Sequence, residues 1–195
     1  MKLRALKLAA LCAVAACALQ TEGAQAQTVT PTVSVVVDNT LTLAVTQQMN
    51  FGTIVAFSQT GAGAAATATL DTAGALTRTN GGGANDGRIE ILDNTNAAET
   101  IITIADGVPS VAIDVTVDNV NSPTDGSSTL TLNTFTYLED AGNNNGAVTI
   151  ATPFSITLDA TGANTLHLGA TLNTVTGANY ADATYNGTYD VTFSY

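Results

Sequence analysis

The sequence has no tryptophan, one histidine, two cysteines and five basic residues among its 195. Each scarcity excludes a kind of chemistry. Sugar sites ordinarily stack their ligand on tryptophan, and none is present. Nucleic acid is bound through clustered lysine and arginine, and such clusters are absent. A thiol nucleophile, a thiolate metal centre or a disulfide needs cysteine. Both cysteines, Cys12 and Cys17, fall within the first 26 residues.

Those 26 residues read as an export signal. Lys2, Arg4 and Lys7 form a basic start, and residues 8–19 are apolar but too few to span a bilayer. Ala24-Gln25-Ala26 supplies small residues for cleavage before Gln27. Val14-Ala15-Ala16-Cys17 offers a second, lipoprotein-type reading of the same leader. After cleavage Arg78 and Arg88 are the only cations. Losing three cations and one acid, Glu22, takes the formal charge from −11 to −13. A field of that sign repels nucleic acid and anionic membrane. No later segment is long and apolar enough to be a transmembrane helix.

What is abundant is Thr, Val, Ala, Asn and Gly, the usage of a β-protein with many turns. From Val29 to Val45 a long apolar series stands at odd positions: Val29, Pro31, Val33, Val35 and Val37, then Leu41, Leu43 and Val45. Asp38-Asn39 interrupts them at a bend. Period two places such residues on one face of a strand. Pro31 suits an edge or an arm better than a central strand. Residues 27–39 are therefore expected to be an extension, and 40–195 a single β-domain.

About ten short strands are expected, separated by Gly/Asn/Asp turns. Gly52 marks a bulge or a close approach within 49–57. Residues 80–87 form a flexible loop, and 119–127 and 139–146 form polar loops. Within 129–138, Leu130 and Leu132 give way to Phe135 and Tyr137, a change of parity that predicts a bulge. At the end, Tyr189, Val191, Phe193 and Tyr195 alternate with polar residues. A sequence that stops inside such a strand is expected to hold it in the core sheet.

Chemistry is sparse. His167 alternates with Leu166 and Leu168, so it is expected on the solvent face of a strand, without the partners that general base or metal chemistry requires. The acids stand mostly in turn contexts: Asp86, Asp93, Asp125, Glu139 and Asp140. Residues 119–125 and 139–145 offer oxygen ligands for calcium, but neither has the EF-hand pattern. Gly81-Gly82-Gly83 lacks the context of a phosphate loop. No catalytic, cofactor-binding or metal residue is assigned.

Three segments, Met49-Asn50-Phe51-Gly52-Thr53-Ile54, Leu166-His167-Leu168-Gly169-Ala170-Thr171-Leu172 and Tyr185 to Tyr195, stand in the order found in a family of secreted bacterial β-domains. The chain resembles that family, catalogued as domain of unknown function 4402. Ala170 stands where a second glycine is usual. The family implies no enzymatic residues. The layout also resembles chaperone–usher pilins, which complete an open immunoglobulin-like fold with a neighbour's N-terminal strand. The chain departs from them in having no intradomain disulfide and in ending on tyrosine, where theirs is usually penultimate.

Together these readings give an all-β, immunoglobulin-like or pilin-like β-sandwich with an extended N-terminal arm. The function they imply is non-enzymatic: an exported or cell-surface filament subunit assembling by β-strand addition. Val29, Val33, Val35 and Val37 are the donor residues, and Tyr189, Val191, Phe193 and Tyr195 the acceptor edge. The implied partners are identical or related subunits, with a periplasmic chaperone and an outer-membrane usher, and no cofactor. The alternative is a monomeric secreted or surface binding module whose arm pairs in its own sheet. A secreted hydrolase is a third reading, and it lacks a catalytic constellation.

Overall fold

The structure, a computed structural model, describes residues 32–35, 40–142 and 144–195. The chain divides into two units, Met1–Val37 and Asp38–Tyr195. In the first, residues 32–35 have no regular secondary structure, and Val33 and Val35 are 93% and 81% exposed. Residues 1–26, read above as an export signal, and Val29, Pro31, Val37, Asp38 and Asn39 lie outside the described residues.

The second unit is all β. Its strands are β1 (Thr42–Gln47), β2 (Thr53–Phe57), β3 (Thr67–Leu70), β4 (Leu76–Thr79), β5 (Arg88–Asp93) and β6 (Thr100–Ala105). They continue with β7 (Ala112–Thr124), β8 (Thr131–Glu139), β9 (Asn145–Val148), β10 (Phe154–Thr157), β11 (Asn164–Asn173) and β12 (Asn186–Ser194). Seven strands form one sheet in which β11 pairs with β6, β3 and β8. Beyond these, β1 pairs with β6, β4 with β3 and β9 with β8. A second sheet has the order β10-β7-β12, and β2 and β5 make a separate two-stranded ribbon. All pairings are antiparallel.

The two larger sheets form a sandwich over one hydrophobic core. Ile102, Ile104, Leu166, Leu168 and Leu172 come from the larger sheet, and Ile113, Val115, Val117 and Ile156 from the smaller. Alternation explains the partition: in β11 the even residues are buried, while Thr165 and His167 lie on the outer face. Rings join the layers. Tyr137 of β8 stacks on Phe154 of β10 at 4.3 Å between centroids, and Phe135 of β8 meets Tyr189 of β12 edge-on at 5.0 Å.

Two irregularities reset strand faces. The parity change in β8 is a bulge: Gly169 faces Thr136 and Thr171 faces Asn133, leaving one extra residue on β8. Thr134 takes it up at φ +50°, a conformation β-branched residues rarely adopt. Leu132 and Phe135 consequently both point into the core. Residues 119–124, expected as loop, instead continue β7 and pair with β12. Two register shifts there leave two extra residues on β7, with Asn119 at φ +46°. The bulges erase the alternation by which a strand is recognised. At Gly52 the close approach is real: a Cβ would lie 2.3 Å from the Asp93 carbonyl oxygen, and φ is +67°.

Candidate functional site: an open edge of the sandwich

The pairing scheme fixes how the two layers overlie one another at one edge. Tyr189, early in β12, places its hydroxyl 2.5 Å from Thr100 Oγ1 at the start of β6. Tyr195 accepts a hydrogen bond from Val108 N at 2.9 Å, just past the end of β6. So β12 lies over β6 and runs in the same direction. The Tyr137–Phe154 stack sets β10 over β8, which leaves β7 between β10 and β12. Hence the edge of β12 that β7 does not occupy faces outward, above β1.

Among the described residues of the second unit, none closes over β1 there, as the exposure of its core-side residues shows. Leu43 is directly opposite Ile104 and Val45 opposite Ile102, so all four point to the same, core side of the sheet. Ile102 and Ile104 are buried, yet Leu43 and Val45 are 44% and 58% exposed. The facing strand is equally half-covered. Val191 pairs with Val117 and Phe193 with Val115, both fully buried, while Tyr189, Val191 and Phe193 are only partly buried. At this edge the larger sheet extends one strand further than the smaller. The gap is floored by Leu43 and Val45 and walled by Tyr189, Val191 and Phe193. Burial raises the Tyr189 phenol above its ordinary range, outweighing its bond to Thr100. Tyr195 marks the far end, half-exposed and held to the 106–110 loop.

The structure thus brings Tyr189, Val191, Phe193 and Tyr195 to one free edge. Of the proposed donor residues, Val33 and Val35 are exposed, and Val29 and Val37 lie outside the described residues. The floor and the supports were not assigned from sequence. Leu43 and Val45 share the parity of the valine arm, and that was the available signal. Thr100 and Phe135 gave none.

Other polar groups are engaged locally. His167 is on the outer face, its Nδ1 3.3 Å from Glu99 Oε1 and its Nε2 3.5 Å from Asp140 Oδ1, and it is mostly covered. Gln47 Nε2 donates to the same Glu99 at 3.0 Å. Asp93, Asp125 and Asp159 accept backbone N–H groups of their own turns, and Asp86 accepts from Gly83 N in its own loop and from Ala64 N in another, which holds all four carboxyls below the usual range. Glu139 departs from its expected place in an acidic loop. It closes β8 fully buried, accepting from Asn164 Nδ2 and Thr157 N, each at 2.9 Å, and from Asn144 Nδ2. Its parity after the bulge, shared with Phe135 and Tyr137, turns it inward. Arg78 and Arg88 both sit on Glu90, at 2.9 and 3.5 Å. Among the described residues, no three or more His, Cys, Asp or Glu side chains are grouped to hold a metal ion. No described helix is long and apolar enough to cross a membrane.

Fold and edge define a class: a β-sandwich whose smaller sheet is one strand short of covering the larger. Within that class the chain belongs to the family described as Domain of unknown function (DUF4402), which matches residues 41–195. No curated protein and no solved structure gives a match.

Proposed function

We propose that this protein is a non-enzymatic structural subunit of the cell surface, assembling into filaments by β-strand addition. The observation that carries the reading is the uncovered core face of β1 beside the unpaired edge of β12. Added there, a strand completes backbone hydrogen bonds along β12 and buries alternate side chains over Leu43 and Val45. Residues 29–35 of a neighbouring copy have the required alternation, with apolar odd residues and polar Thr30, Thr32 and Ser34 between them, and Val37 keeps the odd parity although Val36 beside it is also apolar. Fully burying one valine side chain is worth about 1.5–3 kcal/mol. Three of them against the gap amount to a durable joint.

An exported chain with an unpaired edge needs protection before assembly. That supports a periplasmic chaperone and an outer-membrane usher as partners, and the cell surface as the destination.

The test is removal and return of the arm. The chain lacking residues 28–37 is expected to form no filaments by electron microscopy. A peptide of residues 28–37 should bind it saturably and raise its melting temperature with peptide concentration. Filaments that persist without the arm would overturn the reading. So would wild-type protein that stays monomeric at every concentration, which is the outcome required of a self-contained binding module.

A further inference from the structure

His167 is the only histidine in the chain, and strand pairing, not sequence, supplies its partners. Across the larger sheet it stands opposite Ile101 of β6 and Leu138 of β8. Glu99 lies two residues before Ile101, and Asp140 two residues after Leu138. The period of two therefore puts both carboxylates on the outer face with the imidazole. They reach opposite ring nitrogens: Nδ1 is hydrogen-bonded to Glu99 Oε1 at 3.3 Å, and Nε2 is 3.5 Å from Asp140 Oδ1.

A neutral imidazole has one N–H and one lone pair, so it can satisfy only one of two carboxylates. Glu99 is the one held in place. It is buried, and Gln47 Nε2 donates at 3.0 Å both to its carboxylate and to its carbonyl oxygen. With the N–H on Nδ1 for Glu99, the Nε2 lone pair stands beside the Asp140 carboxylate. Two such electron-rich groups repel unless a positive ion lies between them.

We propose that this ion is a borderline divalent metal, Cu²⁺ or Zn²⁺, ligated by His167 Nε2 and Asp140 Oδ1. Zinc sits about 2.0–2.1 Å from imidazole nitrogen and about 2.0–2.2 Å from carboxylate oxygen, so two donors on a tetrahedral ion stand roughly 3.4 Å apart. The 3.5 Å between Nε2 and Oδ1 matches that span. Imidazole suits these ions rather than Ca²⁺ or Mg²⁺, and nitrogen and oxygen donors bind Cu²⁺ ahead of Zn²⁺.

Glu99, on the far nitrogen, does not reach the metal. It is a positioning residue that fixes the tautomer and the ring orientation, as carboxylates behind ligating histidines do. Two protein donors leave the remaining coordination positions open. Asp140 is 60% exposed and lines an open depression with Thr103, Asp159 and Thr165, so water has access to those positions.

The test must separate this site from the general attraction of an acidic surface for cations. Untagged mature protein, stripped with chelator, is titrated with CuCl₂ or ZnCl₂ in excess CaCl₂, by calorimetry and by nitrogen NMR of the single imidazole. One saturable site is expected, with Zn²⁺ moving the Nε2 resonance while Nδ1 keeps its proton. The melting temperature should rise with metal concentration. His167→Gln and Asp140→Ala should each remove the site and leave the β circular dichroism spectrum unchanged. Glu99→Gln should weaken binding by about 10–100-fold and shift the metal-free tautomer toward Nε2–H, which loosened packing alone would not do.

Absence of saturable Cu²⁺ and Zn²⁺ binding in the wild-type protein overturns the proposal. So does binding that survives His167→Gln, which would place the ion elsewhere on the acidic surface. An imidazole that keeps protons on both nitrogens throughout the zinc titration would show that a proton fills the gap instead. An unaltered tautomer in Glu99→Gln overturns the positioning role.

Discussion

β11 and β12 are built from the same device, an alternation of apolar and polar residues over nine or ten positions, yet they have opposite fates. In β11, Leu166, Leu168, Ala170 and Leu172 are buried almost completely, because the strand is paired along both edges and roofed by the smaller sheet. In β12, Tyr189, Val191 and Phe193 remain half-covered, because one edge has no strand partner among the described residues. Alternation states which face a residue belongs to. Whether that face is closed depends on how many strands the opposite layer supplies.

The comparison breaks most sharply at the two cores. Leu168→Ala in β11 is expected to destabilise the isolated domain by about 2–5 kcal/mol, read as a large fall in urea midpoint. Val191→Ala in β12 removes atoms that are only half-buried, so a loss of about 1 kcal/mol is expected. That corresponds to a drop of roughly 2–4 °C in melting temperature. If both substitutions cost the same, the β12 face is already closed.

The bulge that connects the two strands sharpens the contrast further. Thr134 sits between β11's partner residues and the Phe135 ring beneath Tyr189, at a positive φ that costs an ordinary residue about 1–2 kcal/mol. Asparagine tolerates that conformation, so Thr134→Asn should stabilise by about 0.5–1 kcal/mol. Melting temperature is the measurement, and a decrease would show that the strain is offset by contacts of the Thr134 side chain.

The smallest effect concerns acid. Asp159 holds the turn that leads into β11 through Thr161 and Ala163, and Asp125 holds a turn through Ser127 and Ser128 beside Tyr185, just ahead of β12. Both carboxyls are depressed in the folded state. Their contribution is therefore complete above the unfolded value of about 3.9 and is lost as pH falls through the lower folded value. Asp159→Asn and Asp125→Asn should each flatten the decline in stability below pH 4 in acid titrations monitored by circular dichroism. An unchanged decline would mean that other carboxylates set the acid limit.

The sequence carries the fold where local pattern and local chemistry agree. Strand positions, the Gly52 approach, the β8 bulge and the turn role of Asp86, Asp93 and Asp125 all follow from parity or from short polar side chains bonding nearby backbone. Legibility ends where long-range pairing decides. Asn119 to Thr124 reads as loop because two bulges break its alternation, although β12 recruits it as strand. Glu139 reads as a loop acid because its neighbours are Asp140 and Gly142. Its burial depends on Thr157 and Asn164, supplied by strands far along the chain. The half-covered apolar face of β12 was legible in the alternation of Tyr189, Val191 and Phe193. The floor at Leu43 and Val45 required knowing that β1 has a facing layer too narrow to reach it.

The convergence of Arg78 and Arg88 on Glu90 has a consequence at the scale of an assembly. With Arg78 and Arg88 both committed to Glu90, the other carboxylates among the described residues have no arginine or lysine beside them. If the subunits assemble as proposed, a row of them is a polyanion whose end repels each newcomer. At 0.15 M ionic strength the screening length is about 8 Å, against about 30 Å at 0.01 M, so simple salt should then speed elongation. The same charge would oppose sideways bundling of such rows.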